Sequence, residues 1–151
     1  MTISLIVRRS NKLGSRIISW ATQYHWSHVG VICEDGFVYH ADAKGAHKDT
    51  LERFCHNAEA GSYVIPNDGN YKEMLERAQS KVGSKYDFPA ILWLGFTLLM
   101  KMLSVVVPKI VVNPKWTVCS EYANYIIFGT TETVLPEELV DKVWELRCQD
   151  S

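Results

Sequence analysis

Three side chains in this chain have types and surroundings suited to nucleophilic chemistry. Cys119, in Thr117-Val-Cys119-Ser-Glu-Tyr, falls where a β-branched run gives way to a helical pattern. A thiol at a helix N-terminus feels the positive end of the helix dipole, which lowers its pKa. The free backbone N–H groups there can also hold an oxyanion. His28 and His40 flank a predicted hairpin around Glu34-Asp35-Gly36. A two-residue loop would set His40 opposite Val31 and away from His28. A three-residue loop, with Gly36 in the left-handed position of a bulged turn, would set residue 40 opposite Gly30. The histidines would then share a face at roughly 7–8 Å between backbones, with Gly30 leaving room between them. The three-residue form is the expectation here. One imidazole would act as base and the other would orient it; a thiol meeting that base completes a nucleophile–base pair.

The remaining cysteines offer less. Cys33 lies in a predicted strand and reads as packing. Cys55 and Cys148 have no partner logic. The four cysteines show no CxxC pair and no dense framework, so neither a disulfide scaffold nor a zinc ribbon is expected. His25, His28, Cys33 and His40 lack a recognised ligand spacing. The expectation is no metal and no organic cofactor.

These residues need elements to position them. Ile3–Val7 reads as a strand. A helix is predicted over Leu13–Tyr24, with Arg8, Arg9, Lys12 and Arg16 as a solvated basic face at its start. Strands follow at His28–Cys33 and Phe37–Ala41, then a short helix at Leu51–Phe54 after Thr50, then a strand at Ser62–Ile65. Tyr71–Val82 reads as an amphipathic helix, with Met74, Leu75, Ala78 and Val82 on one face and Gly83 past its end. Phe88–Val112 has the length of a spanning helix, about 20 residues, but Lys101 and Pro108 interrupt it. A buried or surface-docked helix is the expectation, with membrane contact as the alternative. Helices close the chain at Cys119–Phe128 and from Pro136 to about Arg147.

The 151 residues fit one domain over 1–151. The element order predicts an α+β fold with an antiparallel sheet packed against helices. Sixteen Lys+Arg against seventeen Asp+Glu give a net charge of −1, which argues against nucleic acid as a partner. The N-terminus places charge after its short apolar run, the reverse of a secretory signal, so a cytoplasmic or virion-associated location is expected.

Four motifs in order, Trp26-Ser-His28-Val-Gly-Val, Tyr39-His-Ala, Gly83-Ser-Lys-Tyr86-Asp87 and Val118-Cys119-Ser-Glu121, resemble the circularly permuted NlpC-type cysteine hydrolases, the YiiX-like group. This group shares a papain-like core with the lecithin retinol acyltransferase family. The twelve-residue spacing from His28 to His40 is similar to that acyltransferase branch. The resemblance runs from about Ser4 to Leu139. It implies Cys119 as nucleophile, His28 as general base and His40 as the residue orienting it. Tyr86 would line the site and help hold the oxyanion, with Ser120 and Glu121 structural or substrate-facing. It implies cleavage of an amide through a thioacyl-enzyme, the substrate being a peptidoglycan peptide or another acyl compound. A phage product delivered with a tail or other assembly fits by analogy. Two alternatives stay open: a lipid or thioester acyl hydrolase or transferase, and a non-catalytic binding or assembly module on the same fold.

Overall fold

The computed structural model describes residues 3–10, 25–66, 70–86, 100, 116–132 and 134–149. The expected helix over Leu13–Tyr24 and nearly all of the apolar segment Phe88–Val112 lie outside the described residues. The described elements are β1 (Ser4–Ser10), β2 (His28–Ile32), β3 (Val38–Asp42), β4 (Gly45–Asp49), α1 (Leu51–Cys55), β5 (Ala58–Val64), α2 (Tyr71–Lys81), β6 (Lys85–Tyr86), β7 (Trp116–Thr117), α3 (Cys119–Phe128) and α4 (Pro136–Gln149). Five of the strands form one antiparallel sheet in the order β4-β3-β2-β1-β5. The architecture is α+β.

Alternation along the strands sorts the side chains onto two faces. Leu5, Val7, Val29, Val31, Tyr39, Ala41 and Ala46 face the main core. There they meet Met74 and Ala78 of α2, most of α3, and Leu139 and Val143 of α4. Helix α3 is buried on nearly every side, including its polar Ser120, Glu121 and Asn124. A helix covered all round is a central helix, held by packing rather than by its own propensity. Val82, read as part of the α2 core face, is 47% exposed, because the helix ends before it.

The other face carries Ile6, Val38 and, across from them, Phe54 of α1. Thr50 caps α1, its hydroxyl accepting from the Arg53 N–H at 3.3 Å. That short helix sets Phe54, fully buried, against the sheet. The same face holds Arg8, His28 and His40.

The β2–β3 connection takes the three-residue form. Cys33 and Phe37 close it, Gly36 adopts φ 80°, and Gly30 pairs with His40. Only glycine adopts that φ without steric cost. The same device closes the β3–β4 hairpin: Gly45 has φ 97° and pairs with Asp42, whose carboxylate accepts from the Lys44 N–H at 2.9 Å. Strand β4 was not expected, and it carries two of the side chains discussed next.

Candidate active site

His28 and His40 meet on the α1 side of the sheet. His28 Nε2 lies 3.1 Å from His40 Nδ1. Phe54 holds both rings, stacking on His28 at 5.6 Å between centroids and meeting His40 edge-on at 4.9 Å. His40 is 1% exposed. Its Nε2 lies 3.3 Å from Asp49 Oδ2. Asp49 is held in turn by Arg53, whose Nε is 3.4 Å from Oδ1. The result is a line of side chains from His28 through His40 to Asp49, anchored at the start of α1.

Charge and burial fix the protons in that line. Burial pushes His40 down to about 4, and the neighbouring His47 adds to the effect. Burial and His40 push His28 well below the usual histidine value. Both imidazoles are therefore neutral near pH 7, with one proton each. The Asp49 carboxylate can only accept, so His40 Nε2 donates to it. His40 Nδ1 is then an acceptor, and His28 Nε2 donates to it. His28 Nδ1 is left unprotonated, with no partner among the described residues, which is the form a general base requires.

Cys119 begins α3 and is buried. The β2–β3 pairing ends at Gly30 and His40. Just past that end, the backbone N–H groups of Val29, Ser120 and Cys119 itself favour the ionised form of the thiol. Cys119 packs in the main core with Val29, the residue next to His28, and no hydrogen bond joins its thiol to the His28 ring. Its acidity departs from the dipole expectation. Burial outweighs the N–H groups and the Arg8 charge, and the thiol lies above its ordinary value of 9.0. It rests as a neutral thiol rather than as a thiolate.

Arg8 is the largest correction to the sequence reading, which put it on a solvated helical face. It lies in β1, paired with His28. Its guanidinium donates to the Phe54 carbonyl at 2.6 Å and sits 4.7 Å from the Phe54 ring centroid. Its charge favours a thiolate at Cys119 and disfavours a proton on His28.

Tyr86 pairs with Thr117 across β6 and β7, two residues before Cys119. Burial above all, with the Asp42 carboxylate adding to it, pushes its phenol far up, so it stays protonated. Ser120 and Glu121 are buried in the first turn of α3. All four cysteines are free: Cys33 is buried and pushed up to about 12, Cys55 is half-buried and Cys148 is exposed. His25 stands apart, exposed and paired with Glu59 at 3.0 Å.

Asp42, His47 and Asp49 were missed. Strand β4 has a single core residue, Ala46, so no alternation marks it. The available signal was the turn Asp42-Ala-Lys-Gly45, which has the composition of a second hairpin loop. His40, Asp42 and His47 place one ligand-type atom each within 4.8 Å of one another.

No family model matches the chain, and no curated protein sequence matches it. Among solved structures, the chain is similar to the metalloprotein YiiX from Escherichia coli O157:H7. The TM-score is 0.59 at 17% identity, covering 87% of this chain and 68% of that one. The likeness is one of fold, and the α+β architecture fits a papain-like, YiiX-like fold. No helix among the described residues is long and apolar enough to cross a membrane.

Proposed function

We propose that this protein is a cysteine hydrolase that cleaves an amide bond through a thioacyl-enzyme. The observation that carries the reading is the proton line ending at His28 Nδ1, with the Cys119 thiol against the adjoining residue. His28 Nδ1 takes the thiol proton as the sulfur attacks the carbonyl, so base catalysis and attack are concerted rather than preceded by a resting ion pair. The attack-ready contact forms when substrate draws the thiol toward the ring. His28 Nε2 keeps its proton and its bond to His40, so the developing imidazolium is oriented and stabilised by His40 and Asp49. Backbone N–H groups at the start of α3 and the Tyr86 hydroxyl hold the oxyanion. Arg8 supplies positive charge beside the sulfur. His28 then protonates the leaving amine, and water releases the acid.

The substrate reading follows the NlpC-type resemblance: a peptidoglycan peptide, with a phage or prophage setting. The lipid or thioester reading rests on the same His28, His40 and Cys119 set, which does not separate the two, and on Phe88–Val112, nearly all of which lies outside the described residues. A paired screen tests the assignment. Defined peptidoglycan fragments and acyl-lipid substrates are incubated with the protein and with Cys119→Ala, and products are read by mass spectrometry. Cleavage of the fragments by the wild type alone is expected. Turnover of acyl-lipids alone would overturn the peptidase reading, and identical products from both proteins would overturn the enzyme reading.

A further inference from the structure

A second constellation shares His40 with the His28–His40 pair and adds two side chains that the mechanism above does not use. Asp42 is two residues beyond His40 on the same strand, and His47 pairs with His40 across β4. All three side chains lie on the α1 face of the sheet. The two imidazole rings are 4.3 Å apart between centroids. His47 Nδ1 is 3.7 Å from Asp42 Oδ1 and 2.9 Å from the Gly45 carbonyl, while His47 Nε2 is 3.4 Å from Asp49 Oδ2. Donor atoms of His40, Asp42 and His47 lie within 4.8 Å of one another. A zinc ion with ligands at about 2.0–2.2 Å needs its donors roughly 3.4 Å apart, so binding draws these donors closer together. Two imidazoles and a carboxylate suit a borderline divalent ion such as Zn²⁺, and Asp49 stands within reach as a further oxygen donor.

We infer that His40, Asp42 and His47 form a site for a divalent transition-metal ion, and that its occupancy switches off the base at His28. The second half rests on the proposed hydrolase reading; the first does not. The coupling follows from proton positions. His40 Nδ1 is committed to His28, so the nitrogen facing the site is Nε2. Metal at Nε2 requires a lone pair there, which moves the single proton of His40 to Nδ1. Nδ1 then donates to His28 Nε2, and the single proton of His28 moves to its own Nδ1. No proton is gained or lost by either ring. The lone pair on His28 Nδ1 that the proposed base needs is gone, so the same cluster serves as a proton relay or as a metal site, but not as both at once.

The test uses the full chain carrying Cys119→Ala, so that the thiol cannot bind metal. Zn²⁺ is titrated against a chromogenic chelator, Co²⁺ absorption reports the ligand field, and the ¹⁵N shifts of His28 and His40 are followed. One Zn²⁺ per chain is expected, weakened at least about tenfold in both His47→Gln and Asp42→Asn. His28 is expected to change from its Nε2–H to its Nδ1–H tautomer on saturation. Circular dichroism checks that each variant is folded. Equal Zn²⁺ affinity in the folded variants would overturn the site. Tight binding with unchanged His28 shifts would overturn the switch. If the metal-free wild type shows no acyl chemistry at all, the hydrolase reading falls while the binding result stands by itself.

Discussion

His28 Nε2 and His40 Nδ1 lie 3.1 Å apart across a hairpin whose register sets Gly30 opposite His40. That one contact joins strand pairing to proton chemistry. The bulged turn at Gly36 puts both rings on one face, Gly30 leaves the space between them, and Asp49 decides which nitrogen of each ring holds the proton.

Asp49 is expected to act as a positioning residue through the tautomer it imposes. In Asp49→Asn the amide can donate to His40 Nε2, which inverts the line and leaves a proton on His28 Nδ1. The expected outcome is a fall in kcat of about 10²–10⁴-fold with little change in KM, measured on the acyl substrate that the wild type turns over. A kcat within about twofold of wild type would show that the carboxylate does not set the tautomer.

Gly30 should not tolerate a side chain. A Cβ there would lie 2.8 Å from Val38 Cγ1 and 3.1 Å from both His40 Cβ and the Tyr39 carbonyl oxygen. These neighbours belong to a paired strand and cannot move singly. Gly30→Ala is expected to cost about 1–3 kcal/mol, read as a lowered urea midpoint, and to reduce acyl transfer by displacing His40. An unchanged midpoint would mean that β3 yields more easily than its pairing implies.

The two histidines make the fold acid-sensitive. Unfolded, His40 would titrate near 6.5; folded, it does so at about 4. A depressed folded value means that the unfolded chain takes the proton first as pH falls. Stability is therefore full above about pH 6.5 and is lost toward pH 4, by about 3 kcal/mol for His40, with His28 adding in the same direction. Urea denaturation across this range, with a chelator present, checks it. His40→Gln should flatten the profile; an equal slope in that variant would place the acid sensitivity elsewhere.

The resting thiol has its own signature. Cys119 lies above 9.0, so its alkylation by iodoacetamide is expected to keep rising past pH 9, while exposed Cys148 labels freely. Arg8→Gln should push the Cys119 profile still higher, because Arg8 favours the thiolate. A plateau at Cys119 below about pH 8 would instead mark a resting thiolate–imidazolium pair.

Patterns with local causes were legible in the sequence. The β2–β3 hairpin follows from Glu34-Asp35-Gly36, and α3 follows from the break at Val118 and its end at Gly129, which adopts φ 73°. Two features depend on tertiary context instead. Strand β4 has one core residue, and its neighbours are tied to Ser84, whose carbonyl accepts from the Ala46 N–H at 2.8 Å. No period-2 pattern marks such a strand, so His47 and Asp49 went unread. Arg8 follows the apolar run of β1 and sits beside Arg9, which reads as a basic face. Only the packing of α1 shows that its guanidinium rests on Phe54. Cys119 has the same origin: a helix start predicts an acidic thiol, and burial against the core reverses the sign.

The most direct measurement is the site of acylation by a generic activated ester. The protein is treated with p-nitrophenyl acetate, quenched in acid and mapped by peptide mass spectrometry, beside His28→Ala. A nitrophenol burst with acetyl on Cys119, absent or at least about 10²-fold slower in His28→Ala, is the predicted result. Acetyl spread over Cys55 and Cys148 at the same rate in both proteins, with none on Cys119, would contradict the account.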